Sequence, residues 1–210
     1  SSNAHACDML CKQGRMHPVI ASFPNKAFYG GKLKSVGLPH QQQSSVPVVV
    51  GRNQGAFKEI LSSRVSFIPS VPESFIYSPK VNHSEAIIVA RLAKAVYEQY
   101  IKDGITDDED QRCIENDFNP SVLGVIAPYR SQIALIRKEI AALEIPVLNE
   151  VLIDTVERFQ GSERDVIIYS FCVNRSYQLK YLSNITEENG VLIDRKLNVA
   201  LTRARKQMFI

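Results

Sequence analysis

Short apolar segments alternate with amphipathic segments through the second half of this chain, and this alternation most constrains its fold. The apolar segments are 122–127, 151–154 and 166–172. A strand buried on both faces reads as a nearly continuous apolar run. Apolar strands that alternate with helices favour an α/β domain with a mostly parallel sheet.

Three segments have helical periodicity. The first, 84–100, carries apolar residues along one stripe, and Asn82 or Ser84 can cap it. The second follows at 131–144 with isoleucines along its inner face. The third, KLNVALTRAR at 196–205, is shorter and is followed by QMFI, the expected start of a last strand. These segments would cover the sheet.

The remaining chain is interpreted as less regular. Glycines and prolines within residues 5–60 predict loops and short strands rather than long helices, with irregular segments at 34–63 and 103–120. VSFIPS at 65–70 is a strand candidate. SSNA at 1–4 resembles an expression-tag scar. The domain is therefore expected to span 5–210.

Composition restricts function only weakly. The chain has 210 residues, a net charge of +3 and 45% hydrophobic residues, enough for a core. Such a charge permits contact with nucleic acid without arguing for it. The four cysteines lack zinc-site spacing, so we expect reduced thiols, no metal site and an intracellular protein. No apolar run approaches the ~18 residues of a membrane span.

FQGSERD at 159–165 is the polar segment richest in binding groups. Gly161 allows a tight turn or a close backbone approach. Gln160 and Glu163 offer groups that can hold a ribose hydroxyl. The alternative is a polar loop in which Glu163 pairs with Arg158 or Arg164.

LTRARK and QGRMHP supply arginines. A guanidinium on a rigid element suits the charge that develops on a transferring phosphoryl group. Arg203 and Arg205 lie about 200° apart if both are helical, so they point to one ligand only if the helix ends before them. The alternative is a basic helix end that complements the helix dipole.

Ligands of open parallel sheets bind beyond the carboxyl ends of the strands. Two polar segments, Pro128–Gln132 and Thr155–Glu163, directly follow predicted strands. The sequence therefore predicts a site at the carboxyl edge.

Five motifs in order strengthen these interpretations. QGRMHP, FPNKAFYGGKL, VIAPYRSQ, DTVERFQGSERDVII and LNVALTRAR succeed one another from about residue 10 to the end. This order resembles the second RecA-like lobe of superfamily 1 helicases, in the branch of the nonsense-mediated-decay RNA helicase and the replication nuclease-helicase. The resemblance implies a RecA-like three-layer sandwich.

The resemblance also implies ATP with Mg²⁺ in a cleft between two lobes. The first lobe of such helicases carries the phosphate loop and the Mg²⁺ motif, and the second supplies arginines. Arg15 and Arg203 match the two arginine positions, whereas Arg205 is less suited because it points elsewhere on the predicted helix. The segment that touches the nucleotide corresponds to Gln160, Gly161 and Glu163.

A single-stranded nucleic acid, DNA or RNA, is the second implied ligand. The corresponding positions are Pro128, Tyr129, Arg130, Gln132, Thr155 and Val156. Polar groups can hold phosphates without reading sequence, and an aromatic ring can stack on a base. Tyr129 is equally compatible with a buried packing role.

Two departures from the pattern limit these expectations. Gly14 stands where the family often has a base-stacking tyrosine. The phosphate-loop pattern is absent, and Gly51 and Gly55 lack the accompanying lysine and hydroxyl. We expect a C-terminal motor lobe that is inactive without its first lobe.

Two alternatives remain open. One is a non-catalytic nucleic-acid-binding or scaffold module derived from the same lobe. The other is a metal-dependent nuclease that uses Asp154, Glu157, Glu163 and Asp165.

Overall fold

The protein, represented by a computed structural model, is described at residues 10–46, 57–73, 78–101, 115–188 and 191–210. Its strands are β1 (Lys12–Gln13), β2 (Lys34–Ser35), β3 (Val65–Ser66), β4 (Leu123–Ile126), β5 (Leu152–Asp154), β6 (Arg164–Tyr169), β7 (Ile185–Glu188), β8 (Val191–Asp194) and β9 (Ala204–Phe209). Its helices are α1 (Pro18–Phe28), α2 (Pro39–Gln42), α3 (Lys58–Ser62), α4 (His83–Ile101), α5 (Arg130–Ala141), α6 (Pro146–Asn149), α7 (Gln178–Leu182) and α8 (Arg195–Leu201).

A five-stranded parallel sheet forms the centre of the molecule. Its strand order is β3-β9-β6-β4-β5, and every neighbouring pair is parallel. Two small sheets accompany it, the parallel pair β1-β2 and the antiparallel pair β7-β8. The predicted α/β class with a parallel sheet between helices, consistent with a RecA-like fold, is confirmed.

Each face of the sheet has its own apolar core because β6 alternates its side chains. Val166 and Ile168 pack in the cluster that contains α4 and α5. Ile167 and Tyr169 pack in the cluster that contains α1 and α8. The sheet thus lies between two helical layers, and the whole length of β6 after Arg164 is buried.

The two long predicted helices are confirmed as α4 and α5. Asn82, one of the two proposed caps, accepts a hydrogen bond on Oδ1 from Glu85 N at 2.8 Å. This side-chain oxygen satisfies a backbone donor that the first helical turn cannot. Leu92 and Val96 of the predicted stripe are fully buried, so the periodicity identified the inner face correctly.

The expectation that residues 5–60 lack long helices is wrong at α1. His17 caps this eleven-residue helix by accepting Val19 N on its ring, and Pro18 occupies the first helical position. Proline is favoured there because its missing N–H would be unsatisfied anyway. Ile20, Ala21 and Pro24 form the buried face. His17 followed by Pro18 indicates the start of a helix, and the prediction from glycine and proline content did not take this dipeptide into account.

The predicted helix over 196–205 is wrong at its end. Helix α8 ends at Leu201, Thr202 caps it, and Ala204 already begins β9. The Arg203 carbonyl accepts Arg164 N at 3.1 Å, so pairing with β6 replaces the next helical turn. Arg203 lies in the turn and Arg205 in the strand. The separation of about 200° that a helix would impose on their side chains therefore does not apply.

The strands predicted at 65–70, 151–154 and 166–172 are found as β3, β5 and β6. Within the irregular segments, the described residues form β2, α2, α3 and a π-helical turn at Phe118–Val122. The proposed tag at 1–4, residues 47–56 of the first segment and residues 103–114 of the second segment lie outside the described residues.

Gly124 in β4 makes room for the chain that connects β5 to β6. A Cβ at this position would lie 2.8 Å from Phe159 Cε1 and 3.0 Å from Arg164 Cγ. Phe159 is fully buried, so its ring has little freedom to retreat. Because Gly124 has no side chain, the Phe159 ring can pack directly against β4.

We predict that Gly124→Ala lowers the free energy of unfolding by about 1–3 kcal/mol, because overpacking displaces Phe159. Urea titration monitored by circular dichroism measures the change. The control is Ser121→Ala at an exposed position nearby. A Gly124→Ala variant at least as stable as the unchanged chain would contradict this packing.

Candidate nucleotide and nucleic-acid sites

Arg15, Glu163 and Arg205 meet at the amino ends of β6 and β9. Arg15 Nε donates to Glu163 Oε2 at 2.6 Å, and Arg15 Nη1 donates to the Thr202 carbonyl at 3.2 Å. Arg205 Nε lies 3.9 Å from Glu163 Oε1. Two guanidinium groups from distant parts of the sequence therefore flank one carboxylate.

Arg203 lies beside this group, and within the described residues its guanidinium donates to neutral acceptors. Its guanidinium contacts the carbonyls of Val199 at 3.0 Å and Ser162 at 3.3 Å, and the Thr202 hydroxyl at 3.2 Å. Burial lowers the pKa of Arg203, the charge of Arg15 lowers it further, and Glu163 acts in the opposite direction. The positive charges of Arg15 and Arg203 thus repel each other, and the negative charge of Glu163 partly offsets this repulsion.

Asp165 adds a second, more deeply buried carboxylate. Its Oδ2 accepts Lys206 Nζ at 2.7 Å, and its Oδ1 lies 3.6 Å from Arg205 Nε, an ion pair without a hydrogen bond. With Arg15, Arg203 and Glu163, the amino-edge cluster holds four cations and two carboxylates, an excess of two positive charges. Such an excess suits a polyanionic ligand.

The backbone that carries Arg15 is fixed from two sides. His17 N donates to the Arg205 carbonyl at 2.8 Å, which joins this segment to β9. The His40 ring contacts the Arg15 carbonyl at 2.8 Å, and Gln41 Nε2 donates to the carbonyls of Gln13 and Met16. Sequence reasoning did not identify His40 and Gln41, because no local pattern links α2 to Arg15.

Gln160 and Gly161 lie next to the amino-edge cluster in an exposed turn. Gly161 has a φ of 87°, in the left-handed region that favours glycine. Gln160 is exposed, so its amide is accessible to a ligand. The predicted tight turn is present, and it delivers Glu163 to the start of β6.

Gly14 precedes Arg15, and neighbouring apolar side chains occupy the space beside it. A Cβ on Gly14 would lie 3.2 Å from Leu38 Cδ1 and 3.4 Å from Val36 Cγ2. Both side chains remain partly exposed, at 42% and 51%. A larger residue at position 14 would have to displace them.

The opposite, carboxyl edge of the sheet carries the segment 128–132. Tyr129 is half-buried and precedes α5, whereas Arg130 is exposed. Burial raises the pKa of Tyr129, and a hydrogen bond with Gln178 opposes that rise. Ala127 N donates to the Asp154 carbonyl at 3.1 Å, which places this segment beside Thr155.

Two residues expected to contact nucleic acid are buried in the protein. Gln132 is fully buried, and its amide exchanges hydrogen bonds with the Asn82 backbone at 2.8 and 3.1 Å. Gln132 Nε2 also lies 3.4 Å from Ser170 Oγ. Val156 packs in the core cluster between the sheet and α1. The side chains of Gln132 and Val156 therefore hold segments 128–132 and 155–163 from inside the protein and are not exposed at the carboxyl edge.

Of the two segments expected at the carboxyl edge, 128–132 and the beginning of 155–163 lie there, whereas Glu163 at the end of the second segment lies at the amino edge. Arg15, Arg203, Arg205 and Glu163 lie at the amino edge, whereas Tyr129, Arg130 and Thr155 lie at the carboxyl edge. The connection 155–163 runs between the two edges.

The carboxylates of the nuclease alternative do not converge. Asp154 Oδ1 accepts Thr155 N at 2.8 Å, and Glu157 Oε1 pairs with Lys196 Nζ at 2.9 Å. Glu163 and Asp165 pair with the amino-edge cations. Among the described residues, no three His, Cys, Asp or Glu side chains lie close enough together to hold a metal ion.

The order of the motifs agrees with comparison to known proteins. The chain matches the AAA domain family over residues 1–210. It belongs to that family. The expected relationship of this AAA domain to superfamily 1 helicases is confirmed by its relatives.

Three relatives are helicases or regulators of nonsense transcripts. They are the Regulator of nonsense transcripts 1 homolog of Arabidopsis thaliana, the DNA replication ATP-dependent helicase/nuclease DNA2 of Xenopus laevis and the Helicase SEN1 of Saccharomyces cerevisiae. Identity is 32%, 29% and 28% over 92%, 99% and 96% of this AAA domain. The chain spans 13%, 19% and 8% of these relatives' lengths.

In the part of the AAA domain that the structure describes, no helix has both the length and the apolar character needed to cross a membrane.

We predict that Asp165→Asn destabilises the AAA domain by about 1–3 kcal/mol, because it leaves a buried polar group and Lys206 poorly paired. Glu157→Gln is the matched control. It also breaks a carboxylate–lysine pair, but its side chain is 62% exposed, and such pairs contribute about 0–1 kcal/mol. Thermal and urea unfolding compare the two variants. Equal losses would show that Asp165 has no special structural role.

Proposed function

We propose that this chain is the C-terminal motor lobe of an ATP-dependent DNA or RNA helicase. The observation that carries the proposal is that Arg15 and Arg203 both donate to Thr202, one to its carbonyl and one to its hydroxyl, in a cluster with two excess positive charges. The relationship to helicases supports the same assignment.

In this proposal, Arg15 and Arg203 stabilise the negative charge that spreads over the phosphoryl oxygens during ATP hydrolysis. Arg203 is suited to this because its guanidinium is oriented by neutral acceptors and has no carboxylate hydrogen-bonded to it in the described part of the chain. Arg15 instead contacts Glu163, so binding of the phosphate must share or replace that contact. Glu163, once released, is available to the ribose hydroxyls together with Gln160. Arg205 contributes positive potential from β9.

The amino-edge cluster does not fit Mg²⁺. Glu163 and Asp165 are already paired with Arg15 and Lys206, and the remaining side chains of the cluster are cations. The cluster fits the triphosphate instead. We assign the phosphate loop and the Mg²⁺ ligands to a first RecA-like lobe. The second lobe, which this chain forms, is proposed to span residues 5–210.

At the carboxyl edge, Pro128, Tyr129, Arg130 and the backbone of Thr155 would contact single-stranded nucleic acid. Tyr129 and Arg130 are accessible, and they supply an aromatic ring and a cation. Gln132 and Val156 support this surface from inside. Since ATP would bind at the amino edge, the two ligands occupy different ends of the sheet.

Arginine substitution in a protein with both lobes tests the proposal. We expect Arg15→Ala and Arg203→Ala to lower kcat for ATP hydrolysis by about 10³–10⁵-fold, as arginine fingers do in related enzymes. Arg91→Ala, on the exposed surface of α4, is the control and leaves kcat unchanged. Unchanged kcat in both arginine variants would refute the assignment.

The 210-residue chain alone is expected to hydrolyse no ATP, because half of the site is missing. A coupled assay of ADP release with saturating Mg²⁺ and single-stranded DNA or RNA measures this. ATP turnover by the chain alone that survives Arg15→Ala combined with Arg203→Ala would contradict the proposal.

A further inference from the structure

Three segments at the carboxyl edge are joined into one surface by hydrogen bonds. Ser131 Oγ donates to the Lys80 carbonyl at 2.8 Å, which joins segment 128–132 to segment 78–82. Gln178 Nε2 donates to the Pro79 carbonyl at 2.6 Å, which adds segment 174–180. We call these three segments the carboxyl-edge surface.

Buried amides hold the carboxyl-edge surface from beneath. Asn174 Nδ2 donates to the Val81 carbonyl at 2.8 Å, and Asn174 Oδ1 accepts Asn82 Nδ2 at 2.9 Å. Gln178 Oε1 accepts the backbone N–H groups of Asn174 and Arg175, both at 2.9 Å. These amides join segment 174–180 to segment 78–82, and the Gln132 amide joins segment 128–132 to the Asn82 backbone, so the surface is preorganised.

Two tyrosines lie on this surface. Tyr177 occupies the position directly before α7, and half of its area is exposed (50%). Tyr129 lies two residues before Ser131, whose Oγ donates to the Lys80 carbonyl, and Tyr177 directly precedes Gln178, whose Nε2 donates to the Pro79 carbonyl. The two aromatic residues therefore lie on segments that meet at Pro79 and Lys80, although 48 positions separate them in the sequence.

The charged side chains within the three segments are all cations, and Glu73 borders them, with its N–H on Asn174 Oδ1 and its carboxylate on the N–H groups of His83 and Ser84. The three segments contain Lys80, Arg130, Arg175 and Lys180, and no aspartate or glutamate. All four cations are exposed. Cations interspersed with accessible aromatic rings are what proteins use to bind single strands, with cations on phosphates and rings on bases.

We propose that the track for single-stranded nucleic acid extends from Tyr129 across segment 174–180, where Tyr177 stacks on a base and Lys80 and Arg175 hold the flanking phosphates. This inference rests on the proposed function and adds Tyr177, Arg175 and Lys80 to the contacts that the motifs indicate. Stacking on an accessible ring requires unpaired bases, so the surface selects single strands over duplex.

Fluorescence anisotropy with labelled oligothymidylate and oligouridylate and the 210-residue chain tests the stacking. We expect Tyr177→Ala to raise Kd roughly 5- to 150-fold, the range for loss of one base-stacking ring, and Tyr177→Phe to keep the original Kd. Phe23→Ala is the matched control, because Phe23 carries a 56% exposed ring on α1, outside the three segments. Circular dichroism verifies that each variant is folded.

The salt dependence of Kd tests the phosphate contacts. Arg175→Ala is expected to reduce the slope of log Kd against log salt concentration by about 0.7, the value for one phosphate contact to a single strand. Arg91→Ala removes an exposed arginine from α4, away from this surface, and should leave the slope unchanged.

The outcomes separate this inference from the proposed function. If Tyr129→Ala and Arg130→Ala weaken binding while Tyr177→Ala and Arg175→Ala do not, the extension is wrong and the motif contacts stand. Equal weakening by Tyr177→Phe and Tyr177→Ala overturns the stacking role. If the unchanged chain binds neither oligonucleotide saturably, the extension and the proposed nucleic-acid contacts both fail.

Discussion

The parallel pairing of β6 with β9 determines the arrangement of the whole molecule. Arg164 pairs with Ala204, but the register then shifts so that Val166 pairs with Gln207. The extra residue in β9 brings both Arg205 and Lys206 near Asp165. A bulge of this kind re-aims side chains at the end of a strand. This irregularity thereby supplies the Asp165 part of the charged cluster, while the regular remainder of the pairing carries side chains of both cores.

The two ends of this sheet have different chemistry. The amino edge has arginines and two paired carboxylates, whereas the carboxyl edge has tyrosines, buried amides and exposed cations. A segment from the beginning of the chain completes the amino edge, because His17 N binds the Arg205 carbonyl. Neither arrangement follows from neighbouring residues in the sequence.

Elements whose signal is local were predictable from sequence. The apolar runs identified β4 and β6, and Asn82 was a correct candidate cap for α4. The end of α8 was not predictable, because no glycine or proline marks it and pairing with Arg164 decides it. For the site, resemblance located Arg15 and Arg203. It could not show that Gln132 faces inward, since its polar partner Asn82 lies 50 positions away.

Phe159 gives the connection between β5 and β6 an unusual property for a loop. Its ring is fully enclosed against Gly124, midway between Thr155 at one edge and Glu163 at the other. Because the buried ring fixes the middle of this connection, its backbone cannot slide along the sheet. A displacement that begins at Thr155 would therefore have to move the enclosed Phe159 ring before it reached Glu163.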